Sequence, residues 1–178
     1  MKRNRLPMKL ARLLLVALAC AALAACGSFA PPVEPSFYRD LAHPGAELDA
    51  AAAASMISGY RANNGLPAVT LDPALMQLAQ AQAALMAKRD RLDHDAGRPF
   101  TARLKASGYA AEAAAENIGA GYHTLAEAFS GWRDSPPHRA NMLLRGATRV
   151  GIAAVYTPAS KYKVYWTLIL AEPEGDRG

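Results

Sequence analysis

The sequence predicts an α+β domain, and three observations predict it. Apolar residues at helical spacing, with good caps, fill residues 46 to 134. After residue 150 the pattern changes to two runs rich in β-branched and aromatic residues. Only two cysteines occur in 178 residues, and both fall near the N-terminus, so the domain holds together by packing. The length remaining after them is about one domain, enough to bury a sizeable core without disulfides.

Residues 1–25 read as an export signal. Lys2, Arg3, Arg5, Lys9 and Arg12 make a basic start, and an apolar run from Leu13 reaches Ala25. That run is too short for a membrane span, which needs roughly 20 apolar residues. Leu23-Ala24-Ala25-Cys26 resembles a bacterial lipobox. The resemblance implies cleavage before Cys26, which then carries the lipid and ties the protein to a membrane. An ordinary signal peptide or a single N-terminal membrane helix is the alternative. Gly27 follows the cysteine rather than Asp, which in a Gram-negative envelope favours the outer membrane, facing the periplasm.

The leader also accounts for the charge. It holds 5 of the 20 Lys and Arg and none of the 15 Asp and Glu, so the remainder carries 15 of each sign. The basic isoelectric point is therefore no evidence for nucleic-acid binding. Cys20 leaves with the signal and Cys26 is lipidated, which leaves the domain without a free thiol or a disulfide.

Residues 26–45 read as a tether. Pro31, Pro32, Pro35 and Pro44 interrupt any periodic pattern and keep the chain extended. Phe37, Tyr38 and Leu41 are apolar enough to pack on the domain, which is expected over 46–173.

The first helix is predicted from about 46 to 63, with Ala53, Met56, Ile57 and Tyr60 on one face and Asn63-Asn64-Gly65 as its stop. A second begins at Asp72-Pro73, an N-cap followed by a residue suited to the first helical position. Leu75, Leu78, Ala79, Gln82, Leu85 and Met86 share its inner face, and Lys88, Arg89 and Arg91 suit the C-terminal end of its dipole. A short third helix is expected over 99–107, stopped by Gly108. A fourth runs from Thr124 to about Asp134, where Thr124 and Glu127 can form a capping box.

Strands are expected over 150–156 and 163–171, joined by a hairpin loop at 157–162. Both faces of the second are apolar, so it belongs in the centre of a covered sheet. Residues 116–120 can supply a further short strand. The alanine run at 110–115 carries no boundary signal.

Four polar residues stand out. His94 sits just past the second helix; alone, a histidine there is usually a surface or capping residue. Glu116 lies beside an apolar strand and glycine-rich turns, where a buried carboxylate needs partners. His138 is flanked by Pro136, Pro137 and Arg139, and its simplest reading is the start of a helical turn at 140–144. Ser135 precedes Pro136, as turn and cap residues do. His43 and His123 lie in loops outside this set.

Brought together, two imidazoles and a carboxylate bind a divalent ion such as zinc, and an open position on it polarises a substrate or activates water. Without a metal, Glu116 between two histidines makes a hydrogen-bonded cluster that raises the proton affinity of both. A purely structural polar network is the third reading. Ser135 with His138 invites a nucleophile-and-base reading, but no Gly-x-Ser-x-Gly elbow accompanies them.

The order of these residues resembles the bacterial branch of the CAP superfamily, also called SCP or PR-1-like. The matching stretches are Tyr60-Arg61-Ala62-Asn63-Asn64-Gly65-Leu66-Pro67, Leu71-Asp72-Pro73-Ala74-Leu75, His94, Glu116-Asn117-Ile118, Trp132-Arg133-Asp134-Ser135-Pro136, His138-Arg139-Ala140-Asn141-Met142-Leu143 and Val150-Gly151-Ile152-Ala153. The resemblance covers roughly 56–170. It implies a three-layer α-β-α sandwich with a small antiparallel sheet covered by helices. It implies a cleft tetrad at His94, Glu116, Ser135 and His138, with Ser135 where many eukaryotic members have glutamate. That departure lowers the acidic ligand count, leaving His94, His138 and Glu116 as the tentative metal ligands. The expected function is a lipid-anchored exported protein whose cleft binds a small ligand, a lipid among the candidates, with or without a divalent cation. The family implies no shared enzymatic reaction. A metal-assisted hydrolase of envelope polymer or peptide and a non-catalytic interaction scaffold are the alternatives.

Overall fold

The computed structural model describes residues 34–175. The expected signal, the Cys26 expected to carry the lipid, and the tether as far as residue 33 lie outside the described residues. A short 3-10 turn at Ser36–Tyr38 opens the domain. There follow α1 (Ala50–Ala62), β1 (Thr70–Leu71), α2 (Pro73–Arg89), α3 (Phe100–Ala106), β2 (Ala111–Ala120), α4 (Leu125–Asp134), α5 (Pro136–Met142), β3 (Arg149–Tyr156) and β4 (Val164–Pro173). No helix among the described residues is long and apolar enough to cross a membrane.

The caps act where the residue types place them. Asp72 accepts the Ala74 and Leu75 N–H groups at 2.8 and 3.0 Å, satisfying donors that a helix start leaves open. Thr124 and Glu127 form the reciprocal box that starts α4. Helix α1 starts at Ala50 rather than 46, because Asp49 is the first side chain able to cap it, accepting Ala52 N–H at 2.9 Å. It stops at Asn63, with Gly65 at φ 71° two residues on.

The sheet order is β1-β3-β4-β2. Strand β4 is central, and every residue from 164 to 171 is buried. Each large apolar side chain in it contributes about 1.5–3 kcal/mol by leaving water. The expected antiparallel sheet is in fact mixed, because the two-residue β1 pairs parallel to β3. Strand β2 is twice the expected length. Its alanines carry little strand propensity, but pairing with β4 along Ala113–Ala120 holds them extended.

Register sorts the sheet's residues onto two faces. Glu116, Ile169 and Gly151 lie in one row, and Asn117, Leu168 and Ile152 in the next. On the first face Leu75, Ala79 and Ala83 of α2 pack on Ala153, Ile169 and Ala171. On the second, Ile57 of α1, Trp132 of α4 and Met142 of α5 pack on Ile152, Trp166, Leu168 and Leu170. The result is a three-layer α-β-α sandwich. Leu41 is buried in that second core, and Phe37 packs against it.

Gly151 marks the tightest approach of a helix to the sheet. A Cβ there would sit 2.2 Å from the Leu75 carbonyl carbon, so only glycine lets the first turn of α2 rest on β3.

Candidate functional site

The segment leaving α2 turns back across the end of the sheet because its backbone is held from two sides. Gln82, buried on α2, donates its amide to the Asp93 and His94 carbonyls at 2.8 and 3.3 Å. Arg103 of α3 donates to the same His94 carbonyl at 3.3 Å. Asp93 accepts the Asp95 N–H at 3.0 Å, and Ala96 is buried as the anchor of the turn. His94 thereby reaches β2, where its Nδ1 lies 3.0 Å from Glu116 Oε1. Its side chain remains 50% exposed, while that of Glu116 is 1% exposed.

A carboxylate this deep needs compensation. Arg103 supplies it, with Nη2 donating to Glu116 Oε2 at 2.7 Å. The guanidinium also donates through Nε to the Arg98 carbonyl at 3.2 Å and lies over the Phe100 ring at 5.4 Å. Nothing in the sequence distinguished Arg103 from the other basic residues of the domain. Its role depends on α3 folding back beside β2, which local pattern does not encode.

His138 arrives from the opposite layer. Pro136 disfavours helical geometry at the residue before it, and Ser135 is extended (φ −91°, ψ 116°), so α4 ends there. The same proline suits the first turn of α5. This helix is longer than the turn expected at 140–144. It docks through two asparagines that sequence reading quoted only as motif letters. Asn117 donates to the His138 carbonyl at 2.9 Å. Asn141 donates to the Glu116 carbonyl at 3.1 Å and to the Asn117 side-chain oxygen at 2.8 Å. From α4, Trp132 donates to the Ile118 carbonyl at 3.1 Å. Carbonyls two residues apart share one side of a strand, so α4 and α5 together serve polar groups of the edge strand β2.

Arg61 closes the far end of α5. It is fully buried and donates to the Met142, Leu144 and Ala147 carbonyls at 3.0, 2.8 and 2.8 Å, and to Pro67 at 2.9 Å. A cation at a helix C-terminus is favourable. These bonds explain why arginine and the Leu66-Pro67 turn occur together in the motif.

The two imidazoles titrate in opposite directions. Hydrogen bonding to the Glu116 carboxylate raises His94 above its ordinary value, against the effect of burial. Burial lowers His138, and the nearby charge of His94 adds to the effect. The expectation that Glu116 raises both is corrected here: the carboxylate lies between His94 and Arg103, and no hydrogen bond among the described residues joins it to His138. Ser135 makes no side-chain cap bond. It stands at the α4–α5 junction, and no hydrogen bond among the described residues joins its hydroxyl to either histidine.

A divalent ion needs several donor atoms converging on one point. No group of three or more His, Cys, Asp or Glu among the described residues is placed to hold one. Beside Glu116 stands the Arg103 guanidinium, whose charge opposes a second cation there. Both Glu116 oxygens are engaged, one by an imidazole and one by a guanidinium. As placed among the described residues, His94, Glu116 and His138 do not form a three-ligand metal site.

The family described as CAP, the cysteine-rich secretory protein family, matches residues 54–170. A Bacillus subtilis protein, "Uncharacterized protein YkwD", is 32% identical over 103 residues, which cover 56% of this chain and 40% of that protein. An extracellular protein containing an SCP domain from Bacillus anthracis superposes with a TM-score of 0.60 at 22% identity, over 68% of this chain and 39% of its own. An outer surface protein from Borrelia burgdorferi gives 0.64 at 16% identity, over 71% and 93% of the two chains. The chain thus spans well under half the length of the Bacillus proteins it matches. At these identities the two structures establish the shared fold.

Proposed function

The chain belongs to the CAP, or cysteine-rich secretory protein, family, and from that premise we propose that it is an exported, lipid-anchored envelope protein whose His94–Glu116–His138 cleft binds a small polar ligand. One observation carries the reading. Glu116 holds His94 by Nδ1, which sets the neutral ring as the Nδ1–H tautomer and turns Nε2 toward whatever enters the cleft. His94 is half exposed, so that nitrogen is reachable. His138, lowered by burial, supplies a second, neutral imidazole nearby. With Nδ1 taken by Glu116, His94 Nε2 accepts from a ligand when the ring is neutral and donates to it when the ring is protonated.

The compartment rests on the leader and the lipobox-like Leu23-Ala24-Ala25-Cys26. Of the two structurally similar proteins, one is extracellular and the other an outer surface protein, which supports it. With Gly27 after the cysteine, the outer membrane facing the periplasm is the destination in a Gram-negative cell.

The test is calorimetric titration of full-length protein in detergent with envelope lipids and soluble peptidoglycan fragments. One member of the panel should bind. His94→Ala with His138→Ala should weaken that binding at least about tenfold while the protein stays folded. Silence from the whole panel, or unchanged affinity in the double variant, would count against the reading. Turnover of a fragment would move the protein to the hydrolase alternative. In parallel, metabolic labelling with a radioactive fatty acid should mark the wild type and not Cys26→Ser.

A further inference from the structure

We propose that Arg103 is the resident cation of this cleft: its guanidinium holds Glu116 where a divalent metal ion would otherwise sit, so that His94 meets the ligand directly. The proposal rests on the cleft being the ligand site, but its test does not require the ligand.

Glu116 offers two oxygens and both are committed, to His94 Nδ1 at 3.0 Å and to Arg103 Nη2 at 2.7 Å. Its side chain is 1% exposed, so an incoming ion must displace one of these partners rather than add to them. The guanidinium does not lose its proton in proteins, and its charge therefore repels a cation at any pH.

Nor is Arg103 a surface arm free to swing aside. Its side chain is 13% exposed, and it is tied by Nε to the Arg98 carbonyl, by Nη2 to the His94 carbonyl and by its plane to the Phe100 ring. Arginine rather than lysine suits this place, because a fork of donors serves a carboxylate and a carbonyl at once. Its remaining nitrogen, Nη1, is buried without a hydrogen-bond partner. A buried orphan donor is unfavourable, and unsatisfied groups of this kind call for a reason. The reason we assign is neutralisation of Glu116: the fold accepts an unsatisfied Nη1 to keep the positive charge on the carboxylate.

Two consequences follow for ligand recognition. The Arg103–Glu116 pair neutralises itself, so the cleft's variable charge lies on its imidazoles, and His94 is the one that Glu116 holds. The contacting atom is His94 Nε2 rather than a metal-bound water.

Zinc chloride titrated into full-length protein in detergent, with each histidine imidazole followed by NMR, tests this. In the wild type the His94 resonances should show no saturable change at micromolar zinc. Arg103→Ala, which frees one Glu116 oxygen and opens space beside it, should gain at least roughly tenfold in zinc affinity at His94. Arg103→Ala with Glu116→Gln should lose that gain, and Arg103→Lys should behave as wild type. Saturable zinc binding at His94 of the wild type would overturn the proposal, whatever the variants do. So would a folded Arg103→Ala protein that gains nothing. If Arg103→Ala does not fold, the wild type and Arg103→Lys decide. Zinc titration and ligand titration fail independently, so loss of this proposal leaves the ligand reading to its own experiment.

Discussion

Asn141 donates its side-chain amide to the side-chain oxygen of Asn117 at 2.8 Å, and Asn117 donates in turn to the His138 carbonyl at 2.9 Å. The two asparagines make a relay between the edge strand and the helix that carries the second histidine. Glu116 and Asn117 are neighbours in sequence but face opposite layers. One residue pair of β2 thus serves both histidines: Glu116 holds the His94 ring, and Asn117 holds the His138 backbone.

Asn117→Ala removes a donor and an acceptor from this relay and leaves the Asn141 amide one partner short. The expected cost is about 1–3 kcal/mol in urea unfolding, the usual range for a broken buried hydrogen bond. The His138 imidazole resonances should shift or broaden while those of His94 hold still. Movement of His94 alone would mean the relay does not position α5.

Arg61→Met keeps much of the volume and abandons four carbonyls, three of them at or beyond the end of α5. Hydrogen bonds to a charged group are worth about 1.5–3 kcal/mol each, and they are not additive. A total loss of about 3 kcal/mol or more is expected by denaturant unfolding. Arg61→Lys should recover the smaller part, because one ammonium cannot span acceptors arranged for a fork. Near-complete rescue by lysine would show that charge alone suffices.

The pH dependence has two opposed parts. His94 has a raised folded value, so its stabilisation is complete below its ordinary value of about 6.5 and is lost as the pH rises through the raised one. His138 has a lowered folded value, so the unfolded chain takes up its proton first, and stability falls as the pH drops from about 6.5 through the lowered one. Unfolding free energy measured across this window should therefore increase with pH more steeply in His94→Gln than in wild type. In His138→Gln it should increase less steeply. NMR titration should find the His94 midpoint above that of His138; the reverse order would contradict the geometry.

Gly151→Ala brings a methyl group against backbone rather than against a side chain that can rotate away. The Leu75 carbonyl would have to retreat from 2.2 Å, lifting the first turn of α2 from β3. Overpacking of this kind costs about 1–3 kcal/mol. A melting temperature equal to wild type would show that α2 slides without resistance.

Sequence legibility follows how local each cause is. Asp72-Pro73, the Thr124–Glu127 box and Asn63-Asn64-Gly65 act within a few residues of themselves, and all three mark real helix ends. The apolar run of β4 announced its central place because a strand covered on both faces has no polar side to show. The start of β2 was invisible, since alanine is indifferent and only pairing with β4 extends it. Strand β1 was missed for the same reason, being two residues held by β3.

His94, Glu116 and His138 were nameable in one dimension because their types and order form a motif, and their chemistry limits what they can do. Which of them touch was not. Whether Glu116 bonded both rings, held a metal or met a counter-charge depended on three layers arriving at one strand edge. There the approach of α3 put Arg103, an unremarkable surface-type residue by sequence, within 2.7 Å of the carboxylate. Residue identity sets the repertoire of charges and donors, whereas electrostatic pairing falls off within a few ångströms and is assigned only when the layers close.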